Sequence, residues 1–219
     1  MTPTTAMLPL EPLIQPRVRL LLGVPNQITM VRTVLAMTIA TIAFRTGDLN
    51  WLVAGYAAYW LGDIADGAAA RYRHEETVAG AVFDIVCDRA CSFLLAAAFM
   101  AAYPDVIGPL AIFLVQFGVL DTMLSLAFLL WPDSLSPNYF HRVDHWIWVW
   151  NWSKVAKAVN TGGVVVSLIV GHSFGLMWLP YVVAATAVVV KVASLSRLIA
   201  ILRGRRTAIP AGLRTWRAW

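Results

Sequence analysis

The sequence predicts an all-α integral membrane protein with six transmembrane helices, preceded by an amphipathic helix that lies in the membrane interface. Two observations favour this fold class. Hydrophobic residues make up 59% of the 219 residues and charged residues only 13%, a balance outside the usual range of soluble globular domains. The apolar stretches also follow one another with short polar breaks, so we expect one compact helical domain rather than two domains joined by a linker.

The N-terminal segment differs from the apolar stretches that follow it. Residues 13–22 mix apolar side chains with Arg17 and Arg19, and Pro16 can open a short helix. This pattern is typical of an amphipathic helix at the membrane surface, and the alternative is a frayed terminus. We therefore divide the chain into three parts: an interfacial segment at 1–24, a membrane domain at 25–203 and a basic cytoplasmic tail at 204–219.

Six apolar stretches are candidates to cross the bilayer, which takes about 20 residues per helix, or fewer where helices pack around a polar site. In chain order they are 28–44, 51–70, 79–103, 109–131, 155–170 and 177–202. Lys and Arg accumulate in cytoplasmic loops. Here they fall at the termini and after the second and fourth helices, and among the loop cations only Arg45 lies on the opposite side. We therefore expect both termini in the cytoplasm.

The remaining composition concerns the partners of the chain. We interpret the net charge of +5 as topology and attraction to anionic headgroups, and we expect no nucleic-acid partner. Five tryptophans between residues 131 and 152 fit an aromatic belt at headgroup depth, with sugar stacking as the alternative. The expected location is a lipid bilayer, the bacterial cell membrane.

Four carboxylates lie within the second and third predicted helices. Asp63 and Asp66 are spaced i, i+3, and Asp84 and Asp88 are spaced i, i+4, so each pair occupies one face of its helix. Ionised groups in hydrocarbon are costly, so the cluster implies bound metal, protons or a water-filled cavity. Oxygen ligands favour hard divalent cations such as Mg²⁺ or Mn²⁺. The deepest carboxylate of each helix is roughly 12 Å from the cytoplasmic turn, so the site is expected to open inward.

The spacing around these aspartates resembles the signature of the CDP-alcohol phosphotransferase family, D-x2-D-G-x2-A-R-x8-G-x3-D-x3-D. All eight positions match over 26 residues: Asp63, Asp66, Gly67, Ala70, Arg71, Gly80, Asp84 and Asp88. The family has a six-helix membrane core with an amphipathic N-terminal helix, and its members commonly form homodimers. The run from Pro25 and Asn26 through Thr29 to Arg32 is similar to the family's first-helix opening near the nucleotide. An ordinary helix start is the other interpretation of this run.

The resemblance implies a role for each signature residue. Asp63, Asp66 and Asp84 would hold two divalent cations that clamp the CDP pyrophosphate. Asp88 would touch the second ion and accept the proton of the attacking hydroxyl, and CMP would leave. The expected contacts of the CDP group are Asn26, Thr29, Gly67, Ala70, Arg71 and Gly80. Helix-packing glycines and a snorkelling arginine remain the alternative for the last four.

The acceptor alcohol is inferred from residues outside the signature. The pair Asp88-Arg89 is similar to the inositol-using branch of the family. Asp121 stands where bacterial enzymes for inositol phosphate carry a basic cluster, and a carboxylate suits a neutral polyol because it accepts hydrogen bonds from hydroxyls. Lys191 and Arg197 are intramembrane cations that could bind a phosphate or pair with the aspartates. Arg89 could likewise only pair with carboxylates.

These features predict phosphatidyl transfer from CDP-diacylglycerol to a polyol, with inositol as the leading acceptor. Inositol phosphate, glycerol 3-phosphate and serine are alternative acceptors, and a CDP-choline or CDP-ethanolamine donor with a diacylglycerol acceptor is also open. Outside the family, the carboxylates would suit a divalent-cation transporter or an intramembrane prenyltransferase. A scaffold that kept the fold without activity is a third alternative, and the presence of all four aspartates argues against it. The segment 132–151, which contains His141 and Asp144, is interpreted as a solvated connector, with the acceptor entrance as the alternative.

Overall fold

The structure is a computed structural model that describes residues 23–208. Within this range every regular element is helical and there is no β-strand, which confirms the all-α class. The predicted interfacial segment at 1–24 lies almost entirely outside the described residues, and of the basic tail at 204–219 only residues 204–208, at the end of the last helix, are described. Both therefore stay predictions, as does the division of the chain into three parts.

Three long helices form the first half of the domain: α1 (Val24–Thr46), α2 (Leu49–Tyr72) and α3 (Val78–Ala102). Local signals explain their ends. α1 stops at Gly47, whose left-handed conformation (φ 66°) directs its N–H to the Ala43 carbonyl, a common helix C-cap. Asp48 caps α2 by accepting from Asn50 N, and Thr77 caps α3 by accepting from Gly80 N, as short polar side chains do at helix N-termini.

In the second half of the domain, the α-helices are mostly shorter and are interrupted by π-helical and 3₁₀-helical segments. Its α-helices are α4 (Ile107–Val115), α5 (Thr122–Leu126), α6 (His145–Asn151), α7 (Lys154–Lys157), α8 (Val164–Phe174) and α9 (Trp178–Ala208). A π-helical segment, Gln116–Asp121, joins α4 to α5, and a second, Ala158–Gly163, joins α7 to α8. Such π-bulges are rare and occur frequently at functional sites.

Among the described residues, five helical stretches are long and apolar enough to cross a membrane: Val24–Thr46, Val78–Ala102, Pro104–Leu130, His145–Phe174 and Trp178–Gly204. They coincide with five of the six predicted spans and indicate an integral membrane protein. Helix α2 matches the remaining predicted span in position but is not among the five, because Asp63, Asp66 and its other polar residues lower its hydropathy. The count of six therefore stays a prediction.

The segment 132–151 is only partly a loop. Pro137–Arg142 forms a 3₁₀ helix, and α6 begins at His145 after the Asp144 side chain caps it by accepting from Ile147 N. Phe140 is completely buried between Trp131 and Trp152, with ring centroids 5.3 and 4.9 Å away. An aromatic core therefore anchors this segment against the end of the helix bundle.

Helix α1 packs closely against α2 and α3 through small residues. Ala36, Ala40 and Ala43 are fully buried. A Cβ added at Gly55 would lie 2.8 Å from Leu95 of α3, and one added at Gly62 would lie 2.5 Å from Arg32 Cβ. Small residues at such positions let helix backbones approach, as is usual in membrane proteins. The approach at Gly62 brings Arg32 beside the acidic face of α2.

Candidate active site

Four aspartates of α2 and α3 converge inside the helical domain. One carboxylate oxygen from each of Asp63, Asp66 and Asp84 lies within 4.8 Å of the others. Two ligand oxygens on opposite sides of a Mg²⁺ ion are about 4.2 Å apart, because each Mg–O distance is about 2.1 Å. The three carboxylates therefore fit a hard divalent cation with small side-chain movements. Asp88 lies beside them and is joined to the cluster by Arg32.

Arg32 of α1 occupies the centre of these carboxylates. Its Nε donates to Asp66 Oδ2 (2.7 Å), and its Nη2 donates to Asp84 and to Asp88 Oδ1 (2.9 Å). The same Nη2 lies 3.6 Å from Asp63 Oδ1, and the Arg32 side chain is only 3% exposed. A formal charge of −4 is thus reduced to −3 by one guanidinium, so the cluster keeps a large deficit of positive charge. Divalent cations would supply that charge.

Two further side chains belong to this cluster. Thr29 donates from Oγ1 to Asp66 Oδ2 (2.7 Å), so the residue predicted to contact CDP also orients a predicted metal ligand. The ring of Tyr59 lies 5.6 Å from the Arg32 guanidinium, and Tyr59 is one helical turn before Asp63. Sequence reasoning missed Tyr59 and the contacts of Arg32 with the aspartates. The spacing of four residues between Tyr59 and Asp63, which places both on one face of α2, could have indicated that Tyr59 lies beside the acidic cluster.

A cavity opens beside the cluster toward the turn between α2 and α3. We call it the outer cavity, and it encloses about 510 Å³ including its open mouth. It is lined by all six residues predicted to contact CDP: Asn26, Thr29, Gly67, Ala70, Arg71 and Gly80. A Cβ at Gly80 would lie 3.0 Å from Asn26 Oδ1. Glycine therefore keeps this wall of the cavity open.

A second cavity lies on the other side of the cluster. We call it the inner cavity; it encloses about 930 Å³ including its opening, and Asp63, Asp84 and Asp88 line it. Asp84 lines both cavities. The acidic cluster therefore stands where the two cavities meet.

Three of the four residues predicted to bind the acceptor meet in the inner cavity. Asp121 pairs with Arg89 Nη2 and with Lys191 Nζ (2.5 Å). Arg89 also stacks on the Phe117 ring at 3.6 Å, and Lys191 donates to Asn151 Oδ1 (2.7 Å). The pairing of Arg89 and Lys191 with a carboxylate was foreseen as an alternative, but their partner is Asp121 and not the four-aspartate cluster.

Arg197, the fourth residue predicted to bind the acceptor, lies outside the inner cavity. Its Nε donates to Asp144 Oδ2 (2.9 Å), its guanidinium packs on Trp146 at 5.6 Å, and the side chain is 51% exposed. It does not line the inner cavity. The structure therefore does not bring Arg197 together with Arg89, Asp121 and Lys191, because it faces the connector rather than the helix interior.

The connector contributes to both cavities. Ser136 and Asn138 line the inner and the outer cavity. Asn138 is held by Lys157 Nζ, which donates to its Oδ1 (2.8 Å), and by Trp148 Nε1, which donates to its carbonyl (2.8 Å). Tyr139 Oη donates to Glu76 Oε2 (2.6 Å), and this bond to a carboxylate raises the pKa of Tyr139 above its ordinary value. The contacts agree with the alternative of an entrance wall rather than a free connector.

Comparison with known proteins agrees with this architecture of a helical membrane domain around an acidic site. Residues 22–185 match the family model described as CDP-alcohol phosphatidyltransferase. The chain therefore belongs to the CDP-alcohol phosphatidyltransferase family, as the signature predicted. Members of this family are divalent-cation-dependent phosphotransferases that use a CDP-alcohol donor and an alcohol acceptor.

Individual relatives give less detail. A phosphatidylinositol phosphate synthase of Corynebacterium glutamicum is 31% identical over 84 residues, which is 37% of this chain and 38% of that protein. The chain thus matches well under half of the length of this relative. No solved structure gives a significant match.

Proposed function

We propose that the protein transfers a phosphatidyl group from CDP-diacylglycerol to a polyol, with inositol as the leading acceptor, and releases CMP. The observation that carries this proposal is the meeting of two cavities at Asp84, beside the acidic cluster. A transferase needs the donor phosphate and the acceptor hydroxyl in adjacent compartments with catalytic groups at their boundary. The outer cavity takes the CDP group, and the inner cavity takes the alcohol.

In this proposal Asp63, Asp66 and Asp84 hold two divalent cations, Mg²⁺ or Mn²⁺. When bound, the ions neutralise charge on the pyrophosphate and on the departing phosphate oxygen. Thr29 and Arg32 orient the carboxylates through the hydrogen bonds already described. These two residues therefore set the geometry of the site before the donor arrives.

Asp88 is the proposed acceptor of the hydroxyl proton, and it also touches one of the ions. It lines the inner cavity, where the alcohol enters, and its side chain is 20% exposed. A base must lie within hydrogen-bond reach of the proton that it removes, and Asp88 meets the alcohol on the acceptor side of the cluster. Arg89, the next residue, is turned to Asp121.

The CDP group is assigned to the outer cavity. Arg71, at the exposed end of α2, offers a planar cationic fork suited to phosphate oxygens, and Asn26 supplies amide groups at the same wall. Gly67 and Gly80 leave space for the nucleotide because they carry no side chain.

The inositol assignment rests on the charges of the inner cavity. Asp121 is bonded to both Arg89 and Lys191, so each cation is already partly neutralised, and the cavity presents paired charges to a neutral polyol. A second candidate acceptor is inositol phosphate. Lys157 also lines the cavity, and the formal sum of Arg89, Lys191, Lys157 and Asp121 is +2, which would favour a phosphate group.

The same proposal covers location and assembly. The protein spans the bacterial cell membrane with both termini and the active site on the cytoplasmic side, and it forms a homodimer. Support for the orientation comes from Arg71, Arg73 and Arg142, which lie on the side of the domain where the outer cavity opens, whereas Arg45 lies at the far end of α1. Positive side chains are retained on the cytoplasmic face.

The test is CMP release by purified protein with CDP-diacylglycerol and a panel of alcohols: inositol, inositol phosphate, glycerol 3-phosphate and serine. Inositol should give the fastest release, and higher activity with inositol phosphate would transfer the assignment to the second candidate. A parallel reaction with CDP-choline or CDP-ethanolamine and diacylglycerol tests the other donor class. Absence of CMP release in every reaction, together with divalent-cation flux in liposomes, would overturn the proposal in favour of a transporter.

A further inference from the structure

The inner cavity contains an amide that lacks a partner. Gln116, the first residue of the π segment Gln116–Asp121, is only 2% exposed and lines the cavity. Its Oε1 is buried and has no hydrogen-bond partner among the described residues. Buried polar groups are nearly always hydrogen-bonded, because leaving one unpaired costs free energy. An unpaired amide at a cavity wall therefore indicates a missing ligand.

A second unpaired polar atom lines the same cavity from the connector. Ser136 is 9% exposed, and its Oγ is buried without a partner in the described part of the chain. The neighbouring Ser134 behaves differently, since its Oγ donates to the Ser136 carbonyl (3.1 Å). Rotation about one side-chain bond changes the direction of a serine hydroxyl at small cost. Two elements that are far apart in sequence thus leave unpaired polar groups at one cavity.

The other buried amide of this cavity shows what a satisfied group looks like. Asn151 is 4% exposed, donates from Nδ2 to Ile147 O (2.7 Å) and Ser194 Oγ (2.8 Å), and accepts from Lys191 Nζ (2.7 Å). The protein therefore completes the bonds of one amide internally and leaves the other incomplete. The difference is not explained by burial, because both residues are buried to a similar extent.

Resting on the proposed function, we infer that Gln116 and Ser136 bind the acceptor alcohol through hydrogen bonds to its hydroxyl groups. A hydroxyl both donates and accepts, so it satisfies the Gln116 carbonyl oxygen as donor and the Ser136 hydroxyl in either role. Acceptors with several hydroxyls match two such groups in one cavity.

The π segment explains how Gln116 and Asp121, five residues apart, come to line one cavity. One extra residue in a helical turn rotates the following residues relative to the preceding helix. Gln116, Phe117 and Asp121 consequently all line the inner cavity, although α4 continues toward α5 as one membrane-spanning stretch. The second π segment contributes Asn160 and Thr161 to the same cavity. Both irregular turns of the bundle therefore serve one compartment.

The experiment compares Gln116→Leu and Ser136→Ala with the wild type, using the best alcohol of the panel, and measures KM for the alcohol, KM for CDP-diacylglycerol and Tm. Each variant should raise the alcohol KM about three- to tenfold, the loss expected for one neutral hydrogen bond. The donor KM should stay unchanged. The Tm of the substrate-free protein should be unchanged or higher, because an unpaired buried polar group has been removed.

Asn151→Leu is the matched control, and its Tm should fall because it removes the hydrogen bonds that the Asn151 amide makes to Ile147 O, Ser194 Oγ and Lys191 Nζ. A fall in Tm of Gln116→Leu, with equal changes in both KM values, would mean a packing role and overturn the inference. An unchanged alcohol KM in both variants would also overturn the inference, and it would indicate that only water fills the cavity. If the wild type releases no CMP with any alcohol, the proposed function itself is refuted. This result distinguishes failure of the proposed function from failure of the inference about Gln116 and Ser136.

Discussion

Replacement of Arg32 by Gln tests the electrostatic design of the acidic cluster. The substitution removes the guanidinium that contacts Asp66, Asp84 and Asp88 and leaves four carboxylates without a positive partner. Breaking a buried ion pair by removing one partner costs about 3–5 kcal/mol, and this range applies to the pair of Arg32 with Asp66, whose side chains are only 3% and 5% exposed. At 2–4 °C per kcal/mol for a chain of this size, Tm in EDTA should fall by roughly 6–20 °C.

Divalent cations should reverse much of this loss. In the variant the cluster has a formal charge of −4, against −3 in the wild type, so it attracts cations more strongly. A ligand that binds only the folded state stabilises it according to its concentration relative to Kd. The rise in Tm on addition of Mg²⁺ should therefore be larger in Arg32→Gln than in the wild type. Mn²⁺ should likewise bind more tightly to the variant than to the wild type.

The assay is the fluorescence of the ten tryptophans during thermal unfolding, in EDTA and across a Mg²⁺ titration, with Mn²⁺ binding measured separately. Arg45→Gln is the control, because it removes the same charge from the exposed end of the same helix and should change stability by less than about 0.5 kcal/mol. If Arg32→Gln unfolds at the wild-type temperature in EDTA, or shows the same deficit with and without Mg²⁺, Arg32 is not the counter-ion of the cluster.

Three further predictions concern single side chains. Asp88→Asn should lower kcat at least about 100-fold while CDP-lipid binding and Tm are retained, because a base is lost; turnover near the wild-type rate in the CMP assay would contradict this role. Gly62→Ala should destabilise the protein by about 1–3 kcal/mol, since its Cβ would lie 2.5 Å from Arg32 Cβ; thermal unfolding of Gly204→Ala, where an added Cβ would meet nothing within 4 Å, provides the control. Tyr139→Phe removes the bond to Glu76 and should increase proteolytic cleavage of the connector in limited digestion, whereas equal cleavage would show that this bond does not hold it.

Much of the candidate site could be predicted because its geometry is local. The pairs Asp63–Asp66 and Asp84–Asp88 each lie on one face of a helix by spacing alone, and both helices were predicted from the sequence, although the hydropathy of α2 is lower than that of α3. The six residues expected at CDP were found around one cavity for a related reason. Four of them come from the end of α2 and the start of α3, and Asn26 and Thr29 come from the first two turns of α1 beside them.

The acceptor side was predicted less completely. Arg89, Asp121 and Lys191 meet as expected, but Arg197, only six residues after Lys191, faces Asp144 instead. Two residues on one helix share a compartment only if the neighbouring elements cover both, and here the connector and α6 cover the turn of Arg197. Gln116 was missed because a π segment shifts the helical register, and no hydropathy pattern marks that shift.

The sequence by itself determined the helical membrane class, the family and the acidic motif, because composition, periodicity and fixed spacing express properties of single helices. Only the tertiary structure decided that Arg32 enters the cluster and that the connector walls both cavities. These features depend on which helix faces meet: the missing side chain at Gly62 lets α1 approach α2 closely, and this approach places the buried Arg32 guanidinium among the four carboxylates.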